Sequence, residues 1–301
     1  MSILCLPLTV TSELKIIWNF INNDIKDTIA PSLIAFFTSW FFCDNELRHL
    51  PLHLVNSLIY AILYILTFCM LNQVNSVEED SINKPYRPLP SGLLTKRQTW
   101  NRIIIYSALF LIYAAALHIF WISVAWQAVT YFLNLLGGSN HWVTKNLVGM
   151  TVGTFLLLAA QWEIASPGEG VNGNVILYWG FISLWAGFAL PIQDFRDIDG
   201  DRQMGRKTLP LAVGDNKGRG IMVVEYVLLL PFLFLAAMLS QKPLWLLIQD
   251  PIDLGILILQ ISIHWIIAYR LWSFRSPVHD DKTYHLYVYL FCAGVPAICY
   301  M

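Results

Sequence analysis

Long apolar runs broken by short polar stretches fill the chain from about residue 28 to its end. Runs able to cross, or nearly cross, a hydrocarbon core of about 30 Å are read at 28–43, 51–71, 103–117, 118–136, 146–162, 175–192, 220–240, 253–274 and 284–300. They predict an all-α, polytopic transmembrane bundle of about nine helices. No loop signal divides the third run from the fourth, and both are short.

Composition agrees with that pattern. The 301 residues are 56% hydrophobic and 13% charged, with a mean hydropathy of +0.56, which does not suit a soluble protein of this size. A net charge of −1 excludes nucleic-acid binding, since no basic surface exists to release phosphate counterions. With these spans, all but two of the 19 Lys and Arg fall on one side of the membrane, Arg48 and Lys242 being the exceptions. The positive-inside rule makes that side cytosolic.

The residues up to Ser12 are too short for a signal-peptide core, and no Arg- and Ser-rich stretch precedes the first run, so neither a signal nor a transit peptide is expected. The endoplasmic reticulum is then the default membrane in a eukaryote. Cys5, Cys43, Cys69, Cys292 and Cys299 stand singly and are read as buried small hydrophobes, not as a zinc site or disulfide framework. Gly137–Gly138–Ser139–Asn140 reads as a turn and 166–173 as a polar hairpin on the far side. No long linker or low-complexity tract divides the chain, so 1–301 is expected to be one domain, with no obligate protein partner evident.

Two acidic clusters change the picture from scaffold to chemistry. Asn72–Asp80 follows the second run and Asp194–Asp201 the sixth, so topology puts both on the cytosolic face. Each is trailed by basic residues and a Leu-Pro pair: Lys84, Arg87 and Leu89–Pro90 after the first, Arg206, Lys207 and Leu209–Pro210 after the second. Two halves descended from one duplicated unit would look this way.

If the helix after the second run continues to Asn83, then Asn72, Ser76, Glu79 and Asn83 lie within about 40° of one line, with Asp80 at its margin. Hard cations such as Mg²⁺ want such oxygen ligands and keep part of their shell for substrate phosphate. Asp194, Asp197 and Asp201 at i, i+3, i+7 would form one carboxylate stripe whose mutual repulsion a cation removes. Glu78 and Asp199 project elsewhere. Lys84, Arg87, Arg206 and Lys207, with Arg196 and Arg202 nearby, are candidate donors to a diphosphate whose charge develops as it leaves.

The combination Asn72-x7-Asp80-x2-Asn83-Lys84-Pro85-x-Arg87-Pro88 with Asp194-x2-Asp197-x3-Asp201 resembles the paired signature of the UbiA superfamily of intramembrane prenyltransferases. The resemblance spans essentially the whole chain. It implies about nine helices around a central apolar cavity, and Mg²⁺-bridged binding of a prenyl diphosphate that ionises to an allylic cation. Carried over by position, it implies Asn72, Asp80, Asp194, Asp197 and Asp201 as metal-site and catalytic residues, and Lys84, Arg87 and Lys207 beside the diphosphate. Lys145–Asn146 resembles a further polar pair facing the cavity.

Ser76 and Gln73 stand where the family commonly has Asp, and Glu79 is positioned to take over a ligand role. That altered pattern resembles a fungal branch that includes membrane-bound terpene cyclases, implying closure of a prenyl cation, farnesyl in the first instance, to a sesquiterpene. An ordinary prenyltransferase with an aromatic or other acceptor is the alternative. A transporter is disfavoured because no acidic cluster marks the opposite face. For cation stabilisation Trp179, Trp185, Trp265 and Trp272 are candidates. His264 and His285, or diphosphate itself, could take the final proton. Gly149-x3-Gly153 is expected to pack helices within the bundle.

Overall fold

The computed structural model describes residues 9–168 and 172–301; the side chains of Ile82 and Asn83 also lie outside the description. Cys5 and part of the 166–173 hairpin therefore fall outside it. Among the described residues every regular element is helical, apart from one isolated bridge between His141 and Lys207.

An amphipathic helix, α1 (Val10–Ile21), precedes the bundle, followed by a 3₁₀ turn at Asn22–Asp24 and a π-helical turn at Ile25–Ile29. The first half continues with α2 (Ala30–Phe42), α3 (Leu50–Asn75), α4 (Val77–Asn83), α5 (Lys96–Ala116), α6 (Phe120–Leu135) and α7 (Thr151–Ala165). The second half holds α8 (Gly173–Ala189), α9 (Ile198–Gln203), α10 (Leu209–Val213), α11 (Asp215–Val224), α12 (Leu230–Leu239), α13 (Leu244–Gln249), α14 (Pro251–Ser273) and α15 (Pro277–Gly294).

All nine apolar runs are helical. Among the described residues, six helical stretches are long and apolar enough to cross a membrane by themselves: Leu47–Asn75, Lys96–Ala116, Val143–Ala165, Gly173–Phe195, Asp215–Leu239 and Pro251–Ser273. The three others fall short: α2 has 13 residues, α6 has 16, and α15 opens on a charged first turn. The third and fourth runs part at His118, whose left-handed φ of 61° reverses the chain without a Gly or Pro to announce it.

Lipid offers no hydrophobic drive for one helix to prefer another, so close packing and buried hydrogen bonds fix the bundle. A Cβ on Gly149 would lie 2.5 Å from Leu133, and one on Gly153 2.5 Å from the Trp126 ring, so the GxxxG pair admits α6 against α7 and the π-helical stretch Val143–Met150 that leads into it, inside the bundle as expected. The Tyr64 hydroxyl donates to the Gly153 carbonyl at 2.6 Å, and Trp126 Nε1 donates to the Tyr64 carbonyl at 2.9 Å. Gln161 ties three helices together, accepting from Ser57 and donating to Ser32, each at 2.6 Å.

Cysteine burial follows expectation in part. Cys69 is buried, Cys43 and Cys292 are half-buried, Cys299 is exposed, and all four are free thiols. The turn at 137–140 is more than a connector: the Asn140 carbonyl accepts the Lys207 N–H at 2.8 Å, docking the loop after the second acidic cluster.

Candidate active site

Ser76 ends α3 instead of continuing it. Its Oγ donates back to the Asn72 carbonyl at 2.8 Å, its backbone leaves the helical region (φ −115°, ψ 27°), and α4 starts afresh. The single face expected over Asn72–Asn83 is thus broken, and Asn83 as a side chain lies outside the described residues. Re-aiming α4 brings Asp80, expected at the margin, into the interior at 2% exposure. The second cluster breaks likewise: Asp194 sits in a 3₁₀ turn (Leu190–Phe195), Asp197 is the N-cap of α9, and Asp201 lies within α9. No single helical stripe carries the three carboxylates.

Both segments close over one cavity of about 300 Å³, within the usual range for ligand sites. Its polar end takes Asn72, Glu79, Asp80, Lys84 and Arg87 from the first segment, and Arg196, Asp197, Asp201 and Arg206 from the second, with Lys145 from the stretch before α7. Phe68 and Tyr64, one and two turns before Asn72 on α3, begin an apolar end completed by Trp126, Tyr284, Tyr287 and Phe291.

The carboxylates at the polar end are not bare. Asp80 takes both oxygens to Arg87 Nη1 at 2.8 and 3.0 Å. Glu79 and Asp201, from different segments, share Arg206: Nη2 lies 2.7 Å from Glu79, and Nη1 is 3.1 Å from each carboxylate. Lys145 Nζ donates to Asp194 at 2.8 Å, and Arg196 Nε lies 3.4 Å from Asp197. The repulsion read from the sequence is therefore answered by fixed cations. Desolvation by burial pushes Glu79 and Asp201 above the usual carboxylate range despite Arg206.

Lys84 differs from the other cations. It lines the cavity with no carboxylate within 4.0 Å among the described residues, and burial pulls its ammonium below the usual lysine value.

Several sequence candidates lie elsewhere. Asp194 stands behind Lys145, outside the cavity wall, with Oδ2 buried and without a hydrogen-bond partner among the described residues. Asn146 is fully buried off the cavity, with both amide atoms unpaired. Lys207 is exposed, and its backbone, not its side chain, takes part by bridging to 140–142. Arg202, a candidate donor, instead lies exposed off the cavity and pairs with Asp199, while Asp199 and Glu78 are exposed as the sequence suggested. Gln73 turns toward α1 and donates to the Phe20 carbonyl.

Among aromatics, Trp265 and Trp272 point outward at 55% and 52% exposure, and Trp179 is packed away from the cavity. Trp185 stacks behind Tyr287 and Phe291 and donates to His264 Nε2 at 2.7 Å. The cavity's own tryptophan is Trp126, stacked on Tyr64 at 4.1 Å. Neither His264 nor His285 lines the cavity. Two acidic residues that sequence reasoning passed over do line it: Asp24 and Asp27, from the turn ahead of α2.

No group of three or more His, Cys, Asp or Glu among the described residues is close enough to hold a metal by itself. Mg²⁺ usually takes one or two carboxylates and completes its shell with water and substrate phosphate, so a ready-made cage is not required. The hard oxygens of Asn72, Glu79, Asp80, Asp197 and Asp201 around one cavity, with the unpartnered Asp194 Oδ2 behind them, are of the right donor type.

Comparison with known proteins settles the family. Residues 32–293 match the model of the UbiA prenyltransferase family. The chain belongs to that family. A diterpene cyclase of Hericium erinaceus, eriG, is 36% identical over 293 residues, covering 94% of this chain and 87% of that one. The polyprenyl transferase eriF of the same organism is 34% identical over 294 residues, covering 94% and 93%. A solved UbiA homologue from Archaeoglobus fulgidus, bound to GPP and Mg²⁺, superposes with a TM-score of 0.64 at 16% identity over 95% of this chain and all of the other. That likeness carries the fold, and this UbiA-family chain shares it.

Proposed function

We propose that this UbiA-family protein is a membrane-embedded terpene cyclase that ionises a prenyl diphosphate and closes the resulting cation to a hydrocarbon. The observation that carries the reading is the single cavity joining a cation-rich polar end to an aromatic end. Lys84, Arg87, Lys145 and Arg206 would bind and hold the diphosphate as it departs with both C–O electrons. Tyr64, Phe68, Trp126 and Tyr287 would exclude water and offer ring faces to the cation.

Asn72, Glu79, Asp80, Asp197 and Asp201 would hold Mg²⁺, with Asp194 poised behind Lys145. The metal supplies charge neutralisation of the leaving group. The UbiA homologue solved with GPP and Mg²⁺ supports this pairing of metal and substrate. Farnesyl diphosphate is the substrate expected from the sequence; the likeness to a diterpene cyclase adds geranylgeranyl diphosphate as an equal candidate. We further propose that both acidic segments face the cytosol from the endoplasmic reticulum membrane.

The likeness to a polyprenyl transferase favours one second reading, transfer of the prenyl group to an acceptor. Purified protein given each diphosphate with Mg²⁺ separates the two. Release of an apolar hydrocarbon with no acceptor supports cyclisation, and diphosphate release that depends on an added aromatic acceptor supports transfer.

A further inference from the structure

Asp24 and Asp27 differ electrostatically from every other acidic side chain at the cavity. Glu79, Asp80, Asp197 and Asp201 each have an Arg or Lys nitrogen between 2.7 and 3.4 Å away, as does Asp194 behind the cavity wall. Asp27 has no cation within 4.0 Å among the described residues; its Oδ2 accepts the Tyr284 hydroxyl at 2.7 Å. Asp24 accepts the weak Cys69 thiol donor at 3.3 Å.

Position singles out Asp27 of the two. Tyr284 lies where the cationic end meets the aromatic end: the Arg196 guanidinium covers its ring at 4.2 Å, while Tyr287, Val288 and Phe291 continue the same face of α15 into the cavity. Asp27 lines the same cavity as Tyr287, Val288 and Phe291. It is thus a carboxylate beside the aromatic lining, with one lone-pair site taken by Tyr284 and no other hydrogen-bond partner among the described residues.

We propose that Asp27, oriented by Tyr284, is the proton acceptor that ends the cation sequence. This rests on the cyclase reading above. In the final step a C–H bond next to the cationic carbon breaks, its electron pair becomes the new C=C bond, and the proton passes to the Asp27 carboxylate and on to solvent. Tyr284 is a positioning residue. The carboxylates already paired with Arg and Lys are left for the metal, and their cations for the diphosphate.

The test uses the full chain in detergent with farnesyl or geranylgeranyl diphosphate and Mg²⁺, without acceptor, and quantifies diphosphate and organic products together. Wild-type protein that forms no hydrocarbon contradicts the cyclase reading, and the inference with it. With wild-type cyclisation established, Asp27→Asn is expected to lower the hydrocarbon-to-alcohol ratio by at least about tenfold, below the 10²–10⁴ typical of a lost general base because diphosphate can substitute in part. Water then captures the cation that is no longer deprotonated. An unchanged ratio overturns the proposal and gives the proton to diphosphate. Loss of all diphosphate release from folded variant also overturns it, by assigning Asp27 to ionisation. If Asp27→Asn does not fold, Asp27→Glu decides: an altered ratio of double-bond isomers supports the proposal, and the wild-type ratio overturns it.

Discussion

Arg206 and Glu79, 127 positions apart in sequence, meet at 2.7 Å and join the two acidic segments across the cavity. The same guanidinium reaches Asp201, so one side chain holds together two carboxylates that would otherwise repel. Its planar fork suits this double contact in a way an ammonium does not. Arg206→Ala should lower diphosphate release by about 10²-fold or more, the usual loss for one electrostatic contact to a developing charge. Arg206→Lys should restore only part of it. Initial rates within a few-fold of wild type in both would remove Arg206 from the site.

Asp80 and Asp197 should separate stability from activity. The Asp80–Arg87 pair is buried, with side chains 3% and 10% exposed, so Asp80→Ala leaves a stranded guanidinium and should cost about 3–5 kcal/mol. Asp197 is 41% exposed, and Asp197→Ala should change stability by no more than about 0.5 kcal/mol. Both should cost turnover about 10²-fold. Thermal melts beside diphosphate assays check this; an equal melting loss in the two variants would contradict the assigned burial.

Cation binding should weaken on acidification earlier than ordinary carboxylates would dictate. Desolvation raises Glu79 and Asp201, so as pH falls they take up protons above the usual range and lose the charge that holds a metal. Calorimetric Mg²⁺ titrations in the presence of a diphosphate analogue should show affinity falling on that raised acid limb and level on the alkaline side. Affinity that stays constant down to the ordinary carboxylate range would contradict the shifts.

Gly153→Ala places a methyl against the Trp126 ring, where a Cβ has only 2.5 Å. Overpacking of this kind costs about 1–3 kcal/mol, and Trp126 is the group that must give way. Because Trp126 lines the cavity, the product ratio should change along with the melting temperature. A melting shift with an unchanged product ratio would detach Trp126 from the substrate.

How far the sequence reaches depends on the kind of signal. Apolar runs and the charge asymmetry of loops are one-dimensional, so the helices and the shared face of the two acidic segments were legible. Which face of a helix turns inward was not: in lipid a span is apolar all round, and Trp265 and Trp272 looked no different from Trp126. Helical spacing also misled at Ser76, where a back-bonding hydroxyl breaks the period that placed Asp80 at the margin. Asp24 and Asp27 gave no signal, being two acids in a polar stretch whose partners, Cys69 and Tyr284, lie far along the chain.

The account turns on one diphosphate head group being held by both acidic segments with its hydrocarbon chain among the aromatic residues. A cryo-EM map of the protein with Mg²⁺ and a non-ionising thiodiphosphate analogue tests this most directly. Density for the head group between the Glu79–Asp80 and Asp197–Asp201 segments, with the chain running toward Trp126 and Tyr287, is the predicted result. A head group contacted by one segment alone, or a chain lying outside the cavity, would contradict it.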